Sequence, residues 1–326
     1  MVTTSIWILA VSERKVVMIV IGGGIAGRMA AGYFSHFNPK IYEAKNNESS
    51  SHKAIMRFRD FSIGYLLGVS LEKVYVTKAI CYEGNFVDPN PKVLNLYSRK
   101  VAKGIYPRSI RSTDPVERYI ATGSFHTPMA NFGYMLNKVE PHVCSFSNGK
   151  SVDYDVCIST IPLPVMAKAA GLVLGKTKIE SYPIYIVRYK VEVPSFVYQT
   201  IYFPDPVTCV YRASLECQDL VIECQSDPDP VELQGAYEAF GLHSNDLYDE
   251  QRFVQDNGKI VDMDDSVRKR IIMELTEGFS IYSLGRYATW RNITSDVLLD
   301  DLPKIAALMK LSDSSRKYSM TLDAIG

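Results

Sequence analysis

Three glycines near the start of the chain have the types and spacing of a binding site for a dinucleotide. Gly22, Gly24 and Gly27 fill the pattern G-x-G-x-x-G directly after the apolar run Val16–Ile21. In such a turn the first glycine permits the sharp bend, and the second lets a pyrophosphate approach the backbone. The third lets the following helix pack closely on the strand, and the helix N-terminus presents its N–H groups to the phosphates.

An acidic residue at the right distance makes this pattern more specific. Glu43 ends a second apolar segment that begins at Lys40, and it follows Gly22 by 21 residues. A carboxylate at this place accepts hydrogen bonds from a ribose diol and repels a 2′-phosphate. Residues 16–45 therefore predict a strand, helix and strand around a dinucleotide, with Ile25 and Ala26 in the turn. The alternative is a glycine-rich turn in some other α/β unit.

Two basic stretches are the other candidates for chemistry. Residues 52–59 contain Lys53, Arg57 and Arg59, and residues 108–118 contain Arg108 and Arg111. Such clusters can bind phosphates locally, although the 36 basic and 36 acidic residues of the whole chain balance. That balance excludes a general attraction to nucleic acid or membrane. The same side chains can equally be solvated or paired within the fold.

Length and composition limit the number of domains and the kinds of site that the chain can have. The chain has 326 residues, of which 47% are hydrophobic, enough for one large domain or two interleaved domains. Its six cysteines include no C-x-x-C pair, so we expect neither a metal site nor a dithiol redox centre. Residues 1–15 are expected to be an extension ahead of the first strand, with an apolar part too short to span a membrane. We therefore expect a soluble, cytoplasmic protein.

The remaining elements indicate how these residues are positioned. Asn148-Gly149 between two alternating segments predicts a hairpin, and the next strand ends at Ser159-Thr160. Residues 182–225 alternate as four antiparallel strands, and residues 71–82 and 94–101 also read as strands. A last strand and a closing helix follow at 279–285 and 298–311.

These elements predict an α/β (α+β) fold with two domains. Residues 16–171 and 279–326 would form a Rossmann-like domain that binds the dinucleotide. Residues 172–278 would be an inserted substrate domain built on an antiparallel sheet.

This order of elements resembles the large flavoprotein group that includes amine oxidases and UDP-galactopyranose mutase. In that group an FAD lies extended across the first domain, and a C-terminal glycine segment caps its flavin end. Gly285-Arg286-Tyr287 is similar to the mutase branch, where Gly-Arg-Tyr precedes an aromatic residue and a helix. The histidine-rich segment of the mutases is missing, since residues 51–59 stand in its place.

The resemblance implies non-covalent FAD and a set of residues around it. Trp290 could stack on the flavin or fill the core, and Arg212 could face a substrate phosphate or solvent. The candidate cofactor residues are Gly22, Gly24, Ile25, Ala26, Gly27, Glu43, Lys53, Arg57, Val143, Thr160, Gly285, Arg286 and Trp290. The candidate substrate residues are Arg59, Arg108, Arg111 and Arg212.

Three functions follow from the resemblance. The first is an FAD-dependent oxidase of an amine or amino-acid group, with molecular oxygen as acceptor because no second glycine pattern provides for NAD(P)H. The basic stretches are faintly similar to bacteriophage flavoproteins of DNA-base hypermodification, which implies an amine on a modified thymine and DNA as a partner. The alternatives are a mutase-like enzyme for a nucleotide sugar and a non-catalytic flavin-binding protein. No residue type identifies a catalytic acid or base.

Overall fold

The computed structural model describes residues 16–44, 55–102, 110, 112–125, 130–174, 179–192 and 197–325. Its strands are β1 Met18–Ile21, β2 Lys40–Glu43, β3 Leu71–Tyr82, β4 Asn85–Phe86, β5 Val116–Ala121, β6 Asn131–Phe132, β7 Leu136–Glu140, β8 Val143–Phe146, β9 Ser151–Asp153, β10 Val156–Ser159, β11 Ser181–Val191, β12 Tyr198–Tyr202, β13 Val210–Glu216, β14 Asp219–Cys224, β15 Leu247–Ile260 and β16 Ile281–Ser283. Its helices are α1 Ile25–Tyr33, α2 Ile63–Leu67, α3 Pro91–Ala102, α4 Leu163–Ala169, α5 Pro230–Glu238, α6 Asp265–Phe279 and α7 Leu298–Ile325.

A parallel sheet carries the predicted dinucleotide turn. Its strands lie in the order β16-β10-β1-β2-β6, so β1 is central. Met18 and Val20 of β1 enter one apolar core with α1 and α7, whereas Ile19 and Ile21 enter another with α4 and α6. Both faces of the sheet are covered, which is why β1 is a continuous apolar run.

A larger, mostly antiparallel sheet stands beside the first. Its order is β15-β11-β14-β13-β12-β3-β4, with β5 on β3, and only β12 and β3 pair in parallel. The hairpin at Asn148-Gly149 lies elsewhere, in the small sheet β7-β8-β9. The fold is therefore a mixed α/β fold with parallel and antiparallel sheets, as the sequence predicts.

Two sequence expectations need correction. The strands β3 and β5, which the boundaries 16–171 assign to the first domain, pair within the larger sheet. Residues 94–101 belong to helix α3, because Val93, Tyr97 and Lys100 recur at helical spacing behind a proline at the first position. The polar residues 226–278 contain α5, β15 and α6.

Two further expectations concern residues 1–15 and the absence of a membrane-spanning segment. The predicted extension 1–15 lies outside the described residues. Within the described part of the chain, none of the helices has both the length and the apolar character needed to cross a bilayer.

Close packing of α1 on α2 gives a test of the fold. A Cβ at Gly32 would overlap the backbone carbonyl oxygen of Leu66, whereas a Cβ at Gly235 on α5 meets nothing within 4 Å. We expect Gly32→Ala to lower the free energy of unfolding by about 1–3 kcal/mol through overpacking. Gly235→Ala should raise it by about 0.5–1 kcal/mol through helix propensity. Urea unfolding of both variants measures the difference, and equal effects would contradict the packing described.

Candidate functional site

The glycine turn has the geometry that a bound pyrophosphate requires. Gly22 has φ of +104°, and its N–H donates to the Tyr42 carbonyl at 2.8 Å. A Cβ at Gly27 would overlap the Gly22 carbonyl, so only glycine lets α1 pack this closely on the turn. A Cβ at Gly24 would meet none of the described residues within 4 Å, although this residue is the N-cap of α1. Open space at the N-terminus of a helix is where a phosphate binds.

Glu43 is held directly beside this turn. Its two carboxylate oxygens accept hydrogen bonds from the backbone N–H of Gly23 at 2.6 Å and of Ala44 at 2.9 Å. The Arg28 side chain lies close by, since its Nε donates to the Gly23 carbonyl at 3.1 Å. A carboxylate has about four acceptor positions, so Glu43 keeps capacity for ribose hydroxyls.

A cleft of about 610 Å³ extends from the glycine turn toward the larger sheet. This volume lies within the range of small-molecule sites, and the carboxyl ends of parallel strands are where such folds bind ligands. Residues that line the cleft are Gly22, Gly24, Ile25, Ala26, Glu43, Ile55, Met56, Arg57, Phe58, Arg59, Thr160, Ile161, Pro162, Ile184, Arg212, Glu223, Gln255, Gly258, Lys259, Gly285, Arg286, Tyr287, Ile293, Thr294, Ser295, Asp296 and Leu298.

The C-terminal segment closes the cleft above α1. A Cβ at Gly285 would stand 2.8 Å from the Ala26 Cβ, so the two segments touch. The Thr160 hydroxyl donates to the carbonyls of Ile21 and Gly22, both at 3.1 Å, and thereby braces the glycine turn. Arg286 donates to the Asn292 side chain at 2.8 Å and also lines the cleft.

Two buried oxygens on this segment suit a ligand. The Thr294 hydroxyl and the Asp296 Oδ1 line the cleft and have no hydrogen-bond partner among the described residues. A buried polar atom without a partner costs free energy, so such atoms commonly meet a ligand or water. Together with the glycine turn and Glu43, these atoms fit a dinucleotide that runs along the cleft.

Arg57 is fixed by the larger sheet. It donates to Glu216 Oε2 at 2.9 Å, to the Thr200 hydroxyl at 2.8 Å and to the Leu215 carbonyl at 2.9 Å. Its side chain is only 9% exposed, and burial lowers the pKa of its guanidinium. The first role of Arg57 is thus to fasten residues 55–59 to the larger sheet, whereas Arg59 is exposed and lines the cleft.

Arg212 faces the cleft from β13 rather than bulk solvent. Both Nε and one terminal nitrogen donate to the Glu223 carboxylate on the neighbouring strand, the second at 2.7 Å. The Tyr211 hydroxyl donates to the same carboxylate at 3.3 Å. Glu223 is 5% exposed, and Arg212 keeps the pKa of its carboxyl low despite burial, so the pair stays ionised.

A second space adjoins the cleft and shares Arg57, Arg59 and Arg212 with it. We call it the cationic chamber, with a volume of about 210 Å³. Lys78 and Arg118 join the arginines there, and the pKa of each is lowered by burial and then by a neighbouring cation. Arg59, Lys78 and Arg118 form no ion pair with the described residues. The cations of the chamber are Arg57, Arg59, Lys78, Arg118 and Arg212.

Lys259 is a site residue that sequence reasoning missed. It lies on β15 and lines the cleft, with its Nζ 4.8 Å from the centre of the Tyr211 ring. Burial, with help from Arg212 and Arg286, lowers its pKa to about 7. Most residues of β15 are exposed, so its sequence does not alternate between apolar and polar residues. The strand, and with it Lys259, therefore could not be predicted from the sequence.

The predicted site residues separate into three groups. The structure brings together at the cleft Gly22, Gly24, Ile25, Ala26, Glu43, Arg57, Arg59, Thr160, Arg212, Gly285 and Arg286. Lys53, Arg108 and Arg111 lie outside the described residues. Gly27, Val143 and Trp290 do not line the cleft.

Gly27, Val143 and Trp290 each lie away from the cleft for a different physical reason. Gly27 acts through helix packing, and Val143 pairs with Glu140 and Asp153 in the small sheet. Trp290 is 4% exposed in the core, and its indole N–H donates to the Val261 carbonyl at 2.8 Å. Of the two roles considered for Trp290, filling the core is the one that its position shows.

Solved structures of other proteins have a similar fold. Reduced UDP-galactopyranose mutase is 15% identical over 85% of this chain and 90% of its own, with a TM-score of 0.65. A protein of Pyrococcus furiosus is 10% identical over 83% of this chain and 100% of its own, with a TM-score of 0.51. Neither a model of a protein family nor a curated protein matches the chain. The chain thus shares the architecture of the mutase, and at this identity the likeness shows the fold alone.

The glycine turn provides a test of the cleft. We expect Gly24→Val to abolish dinucleotide binding, because its methyl groups would fill the open space at the helix N-terminus. The fold should persist, since a Cβ at this position meets none of the described residues within 4 Å. Cofactor content per chain and circular dichroism measure the two effects. Gly235→Val, also in open space but on α5, is the control, and equal cofactor content in both variants would refute the placement.

Arg57 and Arg59 form a second matched pair. Arg57→Ala leaves Glu216 without its ion-pair partner and leaves the Thr200 hydroxyl with only its Ser214 contact, and we expect a loss of about 2–3 kcal/mol of stability. This is less than for a fully buried pair, because Glu216 is 23% exposed. Arg59→Ala should change stability by less than about 0.5 kcal/mol. Denaturant unfolding compares them, and a stable Arg57→Ala protein would contradict the fastening role.

Proposed function

We propose that the chain is an FAD-dependent enzyme whose substrate carries phosphate groups. The observation that carries this proposal is that the cleft with the glycine turn and the cationic chamber adjoin and share lining residues. A cofactor anchored at the glycine turn and Glu43 would place its far end near Gly285 and Arg286. That end lies beside the chamber, since both spaces share Arg57, Arg59 and Arg212. Substrate phosphates held in the chamber would bring the rest of the substrate to the flavin.

Among phosphate-bearing substrates, we favour a nucleotide sugar and a mutase-like reaction. The chamber holds about 210 Å³, enough for a diphosphate and far too little for a DNA duplex. The fold shared with UDP-galactopyranose mutase supports this choice. The missing histidine-rich segment remains a difference, so the sugar itself stays open.

The residues of the chain have distinct parts in this proposal. The N–H groups at Gly24 and the start of α1 hold the pyrophosphate, and Glu43 holds the ribose. Arg59, Lys78 and Arg118 attract the substrate phosphates, because they have no carboxylate partners among the described residues. The apolar side chains Met56, Ile184 and Ile293 exclude water from the cleft. The flavin, when bound, supplies the electron chemistry.

Oxidation of an amine, with oxygen as acceptor, is the second candidate. The observation that favours it is Asp296, whose Oδ1 is buried at the cleft without a partner among the described residues. This carboxylate could hold the ammonium of an arriving substrate. An amine on a modified thymine in DNA, and DNA as a partner, stay predictions, and Arg108 and Arg111 lie outside the described residues.

Two assays on the flavin-loaded protein separate the candidates. We expect the dithionite-reduced enzyme to interconvert the pyranose and furanose forms of a UDP-sugar. Chromatography of the products formed under anaerobic conditions measures this reaction. Arg118→Ala should raise KM and thereby lower kcat/KM by about tenfold or more, since one hydrogen bond to a charged phosphate is worth roughly 1.5–3 kcal/mol. Peroxide release from amines in air, without turnover of UDP-sugars, would instead support the amine oxidase.

The assays also cover the remaining outcomes. Salt-sensitive binding of single-stranded DNA that Arg59→Ala weakens would support the DNA-borne amine. Flavin binding without either activity and without binding of phosphate compounds would favour a non-catalytic flavin-binding protein and overturn the proposal.

A further inference from the structure

A pair of cysteines lies side by side in the larger sheet, where β13 begins and β14 ends. Val210 is the register partner of Cys224, and the Gln225 N–H donates to the Cys209 carbonyl at 3.0 Å. Cys209 is therefore one step along the strand from the residue that faces Cys224. Facing residues of an antiparallel pair have Cα atoms about 4.5–5.5 Å apart, so one step along the strand stays within the roughly 4.4–6.8 Å that a disulfide spans.

The side chains of the pair also contact each other. A hydrogen bond joins the two thiol groups, and both pack in the same apolar cluster of the larger sheet. Cys224 is fully buried, whereas Cys209 is only half-buried. The pair thus offers an accessible sulfur with a second sulfur in contact behind it. No C-x-x-C pattern marks it, because the two residues are distant in sequence.

Polar groups that suit proton transfer surround Cys209. Its thiol donates to Glu232 Oε2 at 3.2 Å, and its backbone N–H donates to Oε1 of the same carboxylate at 2.5 Å. The Lys100 ammonium donates to the carbonyl of Val210, the residue next to Cys209, at 2.5 Å. A carboxylate in contact with the thiol can relay its proton, and a cation close by favours the thiolate.

The two sulfurs differ in acidity as well as in exposure. The hydrogen bond with Cys224 lowers the pKa of the Cys209 thiol, although burial and Glu232 oppose this effect. The same hydrogen bond, together with burial, raises the pKa of Cys224. Since the thiolate is the nucleophilic form, Cys209 is the sulfur suited to attack, and Cys224 keeps its proton.

We propose that Cys209 and Cys224 are a thiol pair that a hydroperoxide oxidises to a disulfide between β13 and β14. The Cys209 sulfur bonds to one peroxide oxygen as the O–O bond breaks, and the thiol proton passes to the leaving oxygen, which departs as water or an alcohol. The Cys224 sulfur then attacks the sulfenic acid on Cys209, whose hydroxyl leaves with the Cys224 proton as water. Both thiols are thereby oxidised, and the peroxide takes up their two electrons.

This pair lies apart from the cleft and does not depend on the proposed function. Cys209, Cys224 and Glu232 line neither the cleft nor the cationic chamber. The same two strands carry Arg212 and Glu223, which do line both spaces. A disulfide would therefore join, at one end, the two strands that form this wall of the cleft.

Peptide mapping of the folded protein after treatment with hydrogen peroxide tests the pair. Trypsin leaves Cys209 in peptide 191–212 and Cys224 in peptide 213–252, which also contains Cys217. The mapping is therefore done in the Cys217→Ser variant. We expect the loss of both thiols and the appearance of the two peptides joined together, which dithiothreitol separates again.

Further comparisons make the result specific. Cys209→Ser should remove the joined peptides, and Cys224→Ala should leave a sulfenic acid on Cys209 that dimedone traps. Cys144 and Cys157 provide an internal control, because their thiols also share a hydrogen bond but both side chains are fully buried. We expect this second pair to stay reduced as long as the protein stays folded.

Joined peptides that form in Cys217→Ser and are missing from Cys209→Ser would support the thiol pair. The proposal is overturned if Cys209 keeps its thiol until the peroxide unfolds the protein. It is equally overturned if Cys209 is oxidised without a bridge to Cys224 or forms a bridge to another cysteine. Should Cys224→Ala fail to fold, Cys217→Ser and Cys209→Ser still decide the question.

Discussion

The close approach of helix α1 to the end of β1 is the constraint on which the site depends. The Gly22 carbonyl occupies the position that a Cβ of residue 27 would take, and the Thr160 hydroxyl bonds the same carbonyl from the neighbouring strand. Two adjacent strands and one helix are thereby locked around a single peptide group. The helix N-terminus is left facing open space at Gly24, with Glu43 bonded to the Gly23 N–H beside it. The open position that we propose for a phosphate is therefore preformed by packing.

A second set of contacts sets the distance between the two sheets. Arg57 binds Thr200 and Glu216 of the larger sheet, while Phe58, next to it, packs in the core of the parallel sheet. On the opposite wall, Gly285 touches Ala26 and carries Arg286 into the cleft. The cleft and the cationic chamber thus adjoin at a place where both walls are fixed. In our proposal, this arrangement would hold a cofactor in the cleft and a substrate in the cationic chamber, with their reacting groups close to each other.

The local parts of the site could be predicted from the sequence because they depend on short-range rules. The glycine spacing, Glu43 at the end of β2 and the Asn148-Gly149 hairpin all depend on residues close together in the chain. Thr160 and Gly285-Arg286 came from the resemblance, and the structure places both at the cleft. The mixed α/β class likewise followed from the order of the elements.

What could not be predicted depends on contacts distant in sequence. Nothing local shows that β3 pairs with β12, so the strands β3 and β5 were assigned to the first domain although they pair within the larger sheet. The solvent-facing character of β15 concealed both the strand and Lys259. The role of Trp290 was ambiguous because an aromatic residue beside Gly285 and Arg286 suits the core and the site equally. Its burial and its hydrogen bond to the Val261 carbonyl show that it fills the core.

We propose that the cleft holds FAD without a covalent bond. The most direct measurement is to denature the purified protein with acid or heat and to analyse the supernatant by absorbance and mass spectrometry. We expect a yellow supernatant that contains a compound with the mass of FAD, in an amount close to one per chain. A colourless protein that binds NAD instead, or a flavin that stays with the precipitated chain, would contradict it.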